Sequence, residues 1–411
     1  MSGVRGNAAY RHARARFLIG TVLLVVAGGV AWGLRGSEDP DVLQTVAVAS
    51  NPQVVAVDPQ TGRAFVAGSN GRVSVLDAHT GDHLTAVAIG ADPSGAIIDA
   101  GRGRAIMCSR VAGLLSVLDT RRMQVIQRVP VGGTCPTDLA VDVRRGRVYV
   151  PTGLGVRVLV TRTGTVLRTV ALPAHTQAVA VAVDPRTGCA FVTGSGNTVS
   201  ILDGRGAALV RTVTVGQNPG PVVVDASSGR VFVVNSGADS VSMLDARTGT
   251  VLRTVPVGAF PVALAVDGRT GRVFVVNQGG GGSVSTLDTT TGTVVATTPV
   301  GGAPLAVAID ARTGRVFVTG TATGTATGAA GGAPHLSPFL DRLIVDVAGV
   351  WRHLRHQDTG HVSVLDAHSG ALLYTAAVGQ GPSAVAVSER TDQAFIANFN
   401  SNSVSVLDAT R

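Results

Sequence analysis

From residue 43 to the end of the chain, apolar residues fall in short runs separated by polar, glycine-rich turns, and the spacing of the runs repeats. The cleanest copy is PVALAVDGRTGRVFVVNQGGGGSVSTLDTTTGTVVATTPVGG, Pro261 to Gly302, which holds four such runs. Runs this short, rich in valine and bounded by turn residues, predict strands rather than helices. The first run of each copy ends at Asp58, Asp99, Asp142, Asp184, Asp225, Asp267 and Asp310, with Ser388 in the eighth copy. The third ends at Asp77, Asp119, Asp203, Asp245, Asp288, Asp366 and Asp408, with Thr161 standing in for the remaining member. Asp58 to Ser388 spans 330 residues, and one interval, Asp310 to Ser388, is 78 instead of about 42. Without that excess of 36, seven intervals of 42 remain, hence eight units.

A unit of about 40 residues with four strands cannot bury both faces of its sheet alone, so the units must stack. The expected fold is all-β, an eight-bladed β-propeller of four-stranded antiparallel blades, with seven blades as the runner-up. The two ends of the chain favour a closed ring. The last unit stops at VSVLDATR, after its third strand, while a lone strand, LQTVAVA (Leu43 to Ala49), precedes the first full set and completes the last blade. The turns agree: DPQTGR, DPRTG and DARTGR each place an aspartate where its carboxylate caps the turn amides, and a glycine where the backbone needs positive φ. Prolines in the fourth runs (Pro130, Pro256, Pro299) suit an outer edge strand, whose amides need no partner.

The second runs read YVPT (Tyr149 to Thr152), FVVN (Phe232 to Asn235 and Phe274 to Asn277) and FIAN (Phe395 to Asn398). Together with the VSVLD and TGxVxxTVPVG runs, they resemble the YVTN-repeat β-propellers, the YncE-like group, over residues 43–411. The resemblance implies an extracytoplasmic or surface-layer propeller, in a group mostly without an assigned biochemical role. Many of its members are seven-bladed; this chain departs from them in its count of eight and in its insertion.

The insertion, residues 319–361 in the seventh unit, opens with the tether TGTATGTATGAAGGAP and continues into a helix over 337–356. Ser337 is its N-cap and Pro338 its first residue. Leu340, Leu343, Ile344, Val347, Val350, Trp351 and Leu354 then form one apolar face. Three readings stay open: a lid over the ring, a partner-docking helix, and a helix lying on a membrane surface.

Charge narrows the possibilities. The net charge of +8 owes much to residues 1–16, a basic cytoplasmic tail by this reading; with Arg35 it takes five of the 34 arginines, leaving 29 against 26 acids. No basic stripe interleaved with aromatics follows, so nucleic acid is not an expected partner. Phe17 to Leu34 is an 18-residue run without charge, which predicts one N-terminal transmembrane helix joined to the ring by a linker, 35–42. Arginines before it and acids after it place the ring outside the cytoplasm as a single-pass signal-anchored protein; a cleaved signal peptide, leaving it periplasmic or secreted, is the alternative.

In a blade, the loops between strands two and three share a face with the loops leading into the next blade; the DxxTG turns take the opposite face. The first face carries the insertion and is the candidate site for an unknown protein or small-molecule partner. Its candidate residues are Asp138, His175, Asn235, Asn277, Trp351, His353, His356, Asn398 and Asn400. His353, His356 and His361 have no carboxylate or cysteine at a recognised metal spacing, so no metal is expected, and no cofactor either. Cys108 and Cys135 fall on this face in neighbouring blades and form a candidate disulfide, with Cys189 left free. The only tryptophans are Trp32 and Trp351, which argues against the eight-bladed quinoprotein dehydrogenases with their tryptophan docking motifs. A binding or scaffolding module is the favoured reading, and an enzyme of lactonase or lyase type the alternative, with no catalytic residues to name.

Overall fold

The computed structural model describes residues 42–90, 92–132, 138–153, 155–173, 176–205, 208–321 and 359–411. These form eight four-stranded antiparallel sheets, seven of them with their strands in chain order. Blades 1 to 7 occupy residues 52–88, 93–130, 140–171, 178–214, 219–256, 261–299 and 303–378. Blade 8 joins 382–408 to the strand Val42–Ala47, which pairs antiparallel with Ser403–Asp408 from Val42 opposite Leu407 to Ala47 opposite Ser403. The innermost strands touch in sequence around the ring, and Pro382–Ser388 of blade 8 meets both Ala303–Asp310 of blade 7 and Pro52–Asp58 of blade 1. The all-β fold, the eight blades and the terminal closure therefore stand as expected. The closing strand begins one residue earlier than its predicted start. The strands Arg315–Thr321 and Gly360–Asp366 extend into both ends of the insertion, with Thr319 opposite Val362.

Among the described residues the only helical segments are single turns, Ala100–Arg102 and Ser236–Ala238, and no helix is long and apolar enough to cross a membrane. The run Phe17 to Leu34 and the helix expected over 337–356 lie outside the described residues.

The core lies between blades. Phe274, Val276 and Val284 of blade 6 pack with Val316, Val318 and Leu365 of blade 7; across the closure, Phe395 and Val404 of blade 8 pack with Ala64, Val66 and Leu76 of blade 1. One large residue near the start of each second strand, the third in every blade but blade 4, where it is the second, drives this packing. It is Phe65, Tyr149, Phe191, Phe232, Phe274, Phe317 or Phe395, with Ile106 in blade 2, and all are fully buried.

The DxxTG face is occupied by its own hydrogen bonds. Asp267 Oδ1 accepts from the Arg269 amide at 2.9 Å, and Asp310 Oδ1 from the Arg312 and Thr313 amides at 2.9 and 3.1 Å. Backbone amides at Thr248, Thr291 and Ser369 hold the carboxyls of Asp245, Asp288 and Asp366 below the usual range. Their contribution is present at neutral pH and is lost as pH falls through those lowered values. The first residue of several second strands also reaches the next blade: Arg147 Nη1 donates to the Arg205 carbonyl at 3.0 Å, Arg315 Nε to that of Arg411 at 3.0 Å, and Gln393 Nε2 to that of His79 at 2.8 Å.

The outermost strands share a further irregularity. In every blade the register slips near the start of the strand, so that one residue bulges from the ladder. The bulged residues are Leu84, Ile126, Leu167, Val210, Leu252, Val295, Leu373 and Leu43, in blades 1 to 8. A bulge twists an edge away from further pairing.

Candidate functional site

The face opposite the DxxTG turns is built by short latches between blades. The last residue of the loop between strands two and three is left-handed at Asn197, Asp239 and Asn402. That geometry turns each side chain toward the loop entering the next blade. Asn402 Oδ1 accepts from the Asn51 amide at 2.7 Å, Asn197 Oδ1 from that of Asn218 at 3.2 Å, and Asp239 Oδ1 from that of Phe260 at 2.7 Å.

Three of the candidate asparagines lie beneath this rim. Asn235, Asn277 and Asn398 are fully buried. The Asn277 amide nitrogen donates to Ser283 and Ser285 Oγ at 3.1 and 2.9 Å, and Asn235 and Asn398 repeat this with Ser240 and Ser242, and with Ser403 and Ser405. Each amide also packs on a loop glycine; a Cβ on Gly258 would come within 2.6 Å of Asn277 Nδ2. These side chains tie strand two to strand three and hold the loop entering the blade, whereas Asn400 is exposed at the turn beyond. Blade 7 solves the same problem differently. Gly320 stands at the asparagine position and His361 at the serine position, and the imidazole sits against Gly320 and Gly302. Burial lowers the His361 pKa, partly offset by a hydrogen bond to the Val300 backbone.

Asp138 leads into the innermost strand Ala140–Asp142 of blade 3. Other blades carry Val54, Ala180, Pro221, Ala263, Ala306 or Ala384 at its position, and the eight innermost strands hold no ionisable side chain apart from the aspartates at their far ends. Asp138 is half-buried, and burial alone pushes its pKa up to about 6. No hydrogen bond or ion pair to it occurs among the described residues. The unfolded chain therefore gives up this proton first, near pH 4, and the folded chain only near pH 6, so stability falls as pH rises through that window. The substitution Asp138→Asn is expected to raise stability by about 1–3 kcal/mol at pH 7.5 and to have little effect below pH 4. Urea unfolding at the two pH values measures the difference.

One residue of this face escaped the sequence reading. Phe260 precedes Pro261 with φ 50°, in a left-handed conformation that its counterparts Asn51, Asp92, Asn218 and Gly381 adopt with less strain. The residue is 41% exposed. The signal was present in the repeat: where four other copies write Asn, Asp or Gly before proline, this copy writes Phe.

Cys108 is fully buried and disulfide-bonded, and Cys189 is free. Cys135, His175, Trp351, His353 and His356 lie outside the described residues. No group of three His, Cys, Asp or Glu that could hold a metal occurs among the described residues. A shallow groove lies where the closing strand passes into blade 1, beside Val48, Ser50, Asn70, Arg72, Ser74 and His83.

No protein-family model and no curated protein matches the chain. Among solved structures, the dihydro-heme d1 dehydrogenase NirN in complex with DHE is similar with a TM-score of 0.65 at 14% identity, over 89% of this chain and 75% of that one. Hydrazine synthase from Kuenenia stuttgartiensis is similar with a TM-score of 0.53 at 17% identity, over 92% of this chain and 99% of that one. At these identities the likeness is one of fold.

Proposed function

We propose that the ring is a ligand-binding or protein-interaction scaffold of the YVTN-repeat type, held at a membrane by residues 17–34 on the extracytoplasmic side. Its binding face is the one that bears the insertion. The observation that carries this reading is Asp138, a carboxyl with no hydrogen bond or ion pair among the described residues, where the repeat otherwise places small apolar residues. An ion there costs stability, and such a cost persists where a bound group offsets it. Phe260 supports the same face, since an exposed aromatic ring in a strained backbone gives a ligand a flat apolar surface. Binding is favoured over lactonase or lyase chemistry because acid–base catalysis needs a second group within reach of the first, and the innermost strands supply none beside Asp138.

Thermal-shift screening of the full chain against amines, saccharides and short peptides tests the proposal. A ligand that raises Tm is expected to lose at least about tenfold in affinity in Asp138→Asn or Phe260→Asn, a loss of 1.4 kcal/mol or more. Ser228→Ala, on the opposite face, should leave its affinity unchanged. Equal affinity in all four proteins would place the ligand elsewhere and sink the proposal.

A further inference from the structure

Three departures from the repeat meet in the groove at the seam between blades 8 and 1. Ser74 of the third strand pairs with Ala86 of the fourth, at a position where six of the other seven blades carry threonine and blade 2 carries Arg128. The smaller alanine leaves a hollow where those side chains stand. Leu76 pairs with His83, whereas every other blade has valine or leucine there. Arg72 opens the third strand, and no other blade carries an arginine at that place. Alternate residues of a strand share a face, so Arg72, Ser74, Ala86 and His83 all look toward the closing segment, whose Ala49 amide donates to Ser74 Oγ at 3.1 Å.

These side chains and residues 47–50 border a groove of about 400 Å³, within the range of small-molecule sites. No aspartate or glutamate lines it. Arg72 is exposed, and among the described residues its guanidinium meets no hydrogen-bond or ion-pair partner; only its backbone amide is engaged, by Asn70 Oδ1 at 3.1 Å. Arginines at neighbouring seams are committed. Arg128 Nη2 donates to the Ala88 carbonyl at 3.0 Å and Arg157 Nη1 to that of Pro130 at 2.8 Å, each on the preceding blade. A guanidinium left open matches two oxygens of a carboxylate or phosphate. The levels of Arg72 and Leu76, the partner of His83, lie about 13 Å apart along the strand, so the groove has room beyond one acid group. Serine, asparagine and imidazole along it suit hydroxyl groups.

We propose that this groove binds a small anionic sugar, a sugar acid or a sugar phosphate, with its acid group on Arg72 and its hydroxyl-bearing body running past Ser74 and Ala86 toward His83. The site is separate from Asp138 and Phe260 and does not depend on the reading built on them. Its two walls meet only when Val42–Ala47 is seated in blade 8. A ligand there therefore favours the closed ring.

Isothermal titration calorimetry of the full chain with glucuronate and glucose 6-phosphate tests this, with glucose and inorganic phosphate as controls. At least one acid sugar is expected to bind with Kd below about 1 mM, and at least about tenfold more tightly than either control. Arg72→Ala should weaken that binding at least about tenfold. Ala86→Thr restores the residue of the other blades and keeps every charge. It should weaken binding at least about fivefold by filling the groove, while Tm stays within about 2 °C. Asp138→Asn should bind as the parent chain does. Binding unchanged in both Arg72→Ala and Ala86→Thr overturns the inference, as does a lack of binding by both acid sugars at about 10 mM. Inorganic phosphate bound as tightly as glucose 6-phosphate overturns the ligand class, because the groove would then hold a bare ion. A loss confined to Asp138→Asn moves the sugar to the other site, which overturns this inference and supports the reading of that face.

Discussion

A chain beginning at Ser50, without the strand Val42–Ala47, is expected to lose at least about 10 °C of Tm and to associate on warming. Among the described residues the strand supplies the only ladder that joins the two ends of the ring, from Val42 opposite Leu407 to Ala47 opposite Ser403. Its removal leaves Ser403–Asp408 as an edge with unpaired amides and carbonyls. It also takes Val42 from the packing of blade 8, and Val46 and Val48 from the layer between blades 8 and 1. Fully burying such a side chain contributes about 1.5–3 kcal/mol. Val42 is buried and Val46 and Val48 are partly so, and together they supply a sizeable share of the roughly 5–15 kcal/mol that stabilises a typical domain. Asn51 remains, and its amide and Nδ2 still donate to Asn402 Oδ1 and the Phe399 carbonyl, so two seam bonds persist without the ladder that positions them. Differential scanning calorimetry with light scattering gives the result. A cooperative melt within about 3 °C of the intact chain would show that the ring is held by its blade interfaces alone.

Phe274→Ala is expected to cost about 3–5 kcal/mol, the range for emptying a fully buried aromatic site. Phe274 reaches from blade 6 into the layer shared with Val316, Val318 and Leu365 of blade 7, so the cavity opens at a joint between blades rather than inside a sheet. Phe274→Leu should cost much less, because it keeps most of the apolar volume. Phe65→Ala in blade 1 belongs to a separate cluster with Val73, Met107 and Leu118. The pair Phe65→Ala and Phe274→Ala should therefore add to within about 0.5 kcal/mol. Chemical denaturation of the single and double variants decides this; a clear departure from additivity would mean that strain passes round the ring.

The ring was legible because its signals repeat. An aspartate closing the first run, a DxxTG turn, a lone strand at the start and a last unit one strand short leave little freedom in blade number or closure. The face was harder to read, because its determinants lie in single departures from the repeat and in side-chain direction. Asn235, Asn277 and Asn398 end apolar strands and read equally well as rim or interior. Only the serines opposite them, which become neighbours through strand pairing, decide that the amides turn inward. The bulges were hidden for a related reason. Val251 and Leu252 read as two positions of an apolar run, and a register slip opposite Met243 and Leu244 puts both side chains in solvent. Asp138 was visible as an acid near the start of a first strand, but its isolation emerges only when the eight innermost strands are set side by side.

The closing ladder also sets an order of events during synthesis. Val42–Ala47 is made before every other strand of the ring, and its partner Ser403–Asp408 is the last of them to be made. At about 5–20 residues per second, the first strand waits roughly 20–70 s for the last. Throughout that interval VLQTVA has no partner strand in its own chain, and seven blades can complete their sheets while the eighth cannot. A nascent ring of this design is vulnerable at its first strand, and its safety depends on keeping that strand away from the edges of other chains until the ring closes.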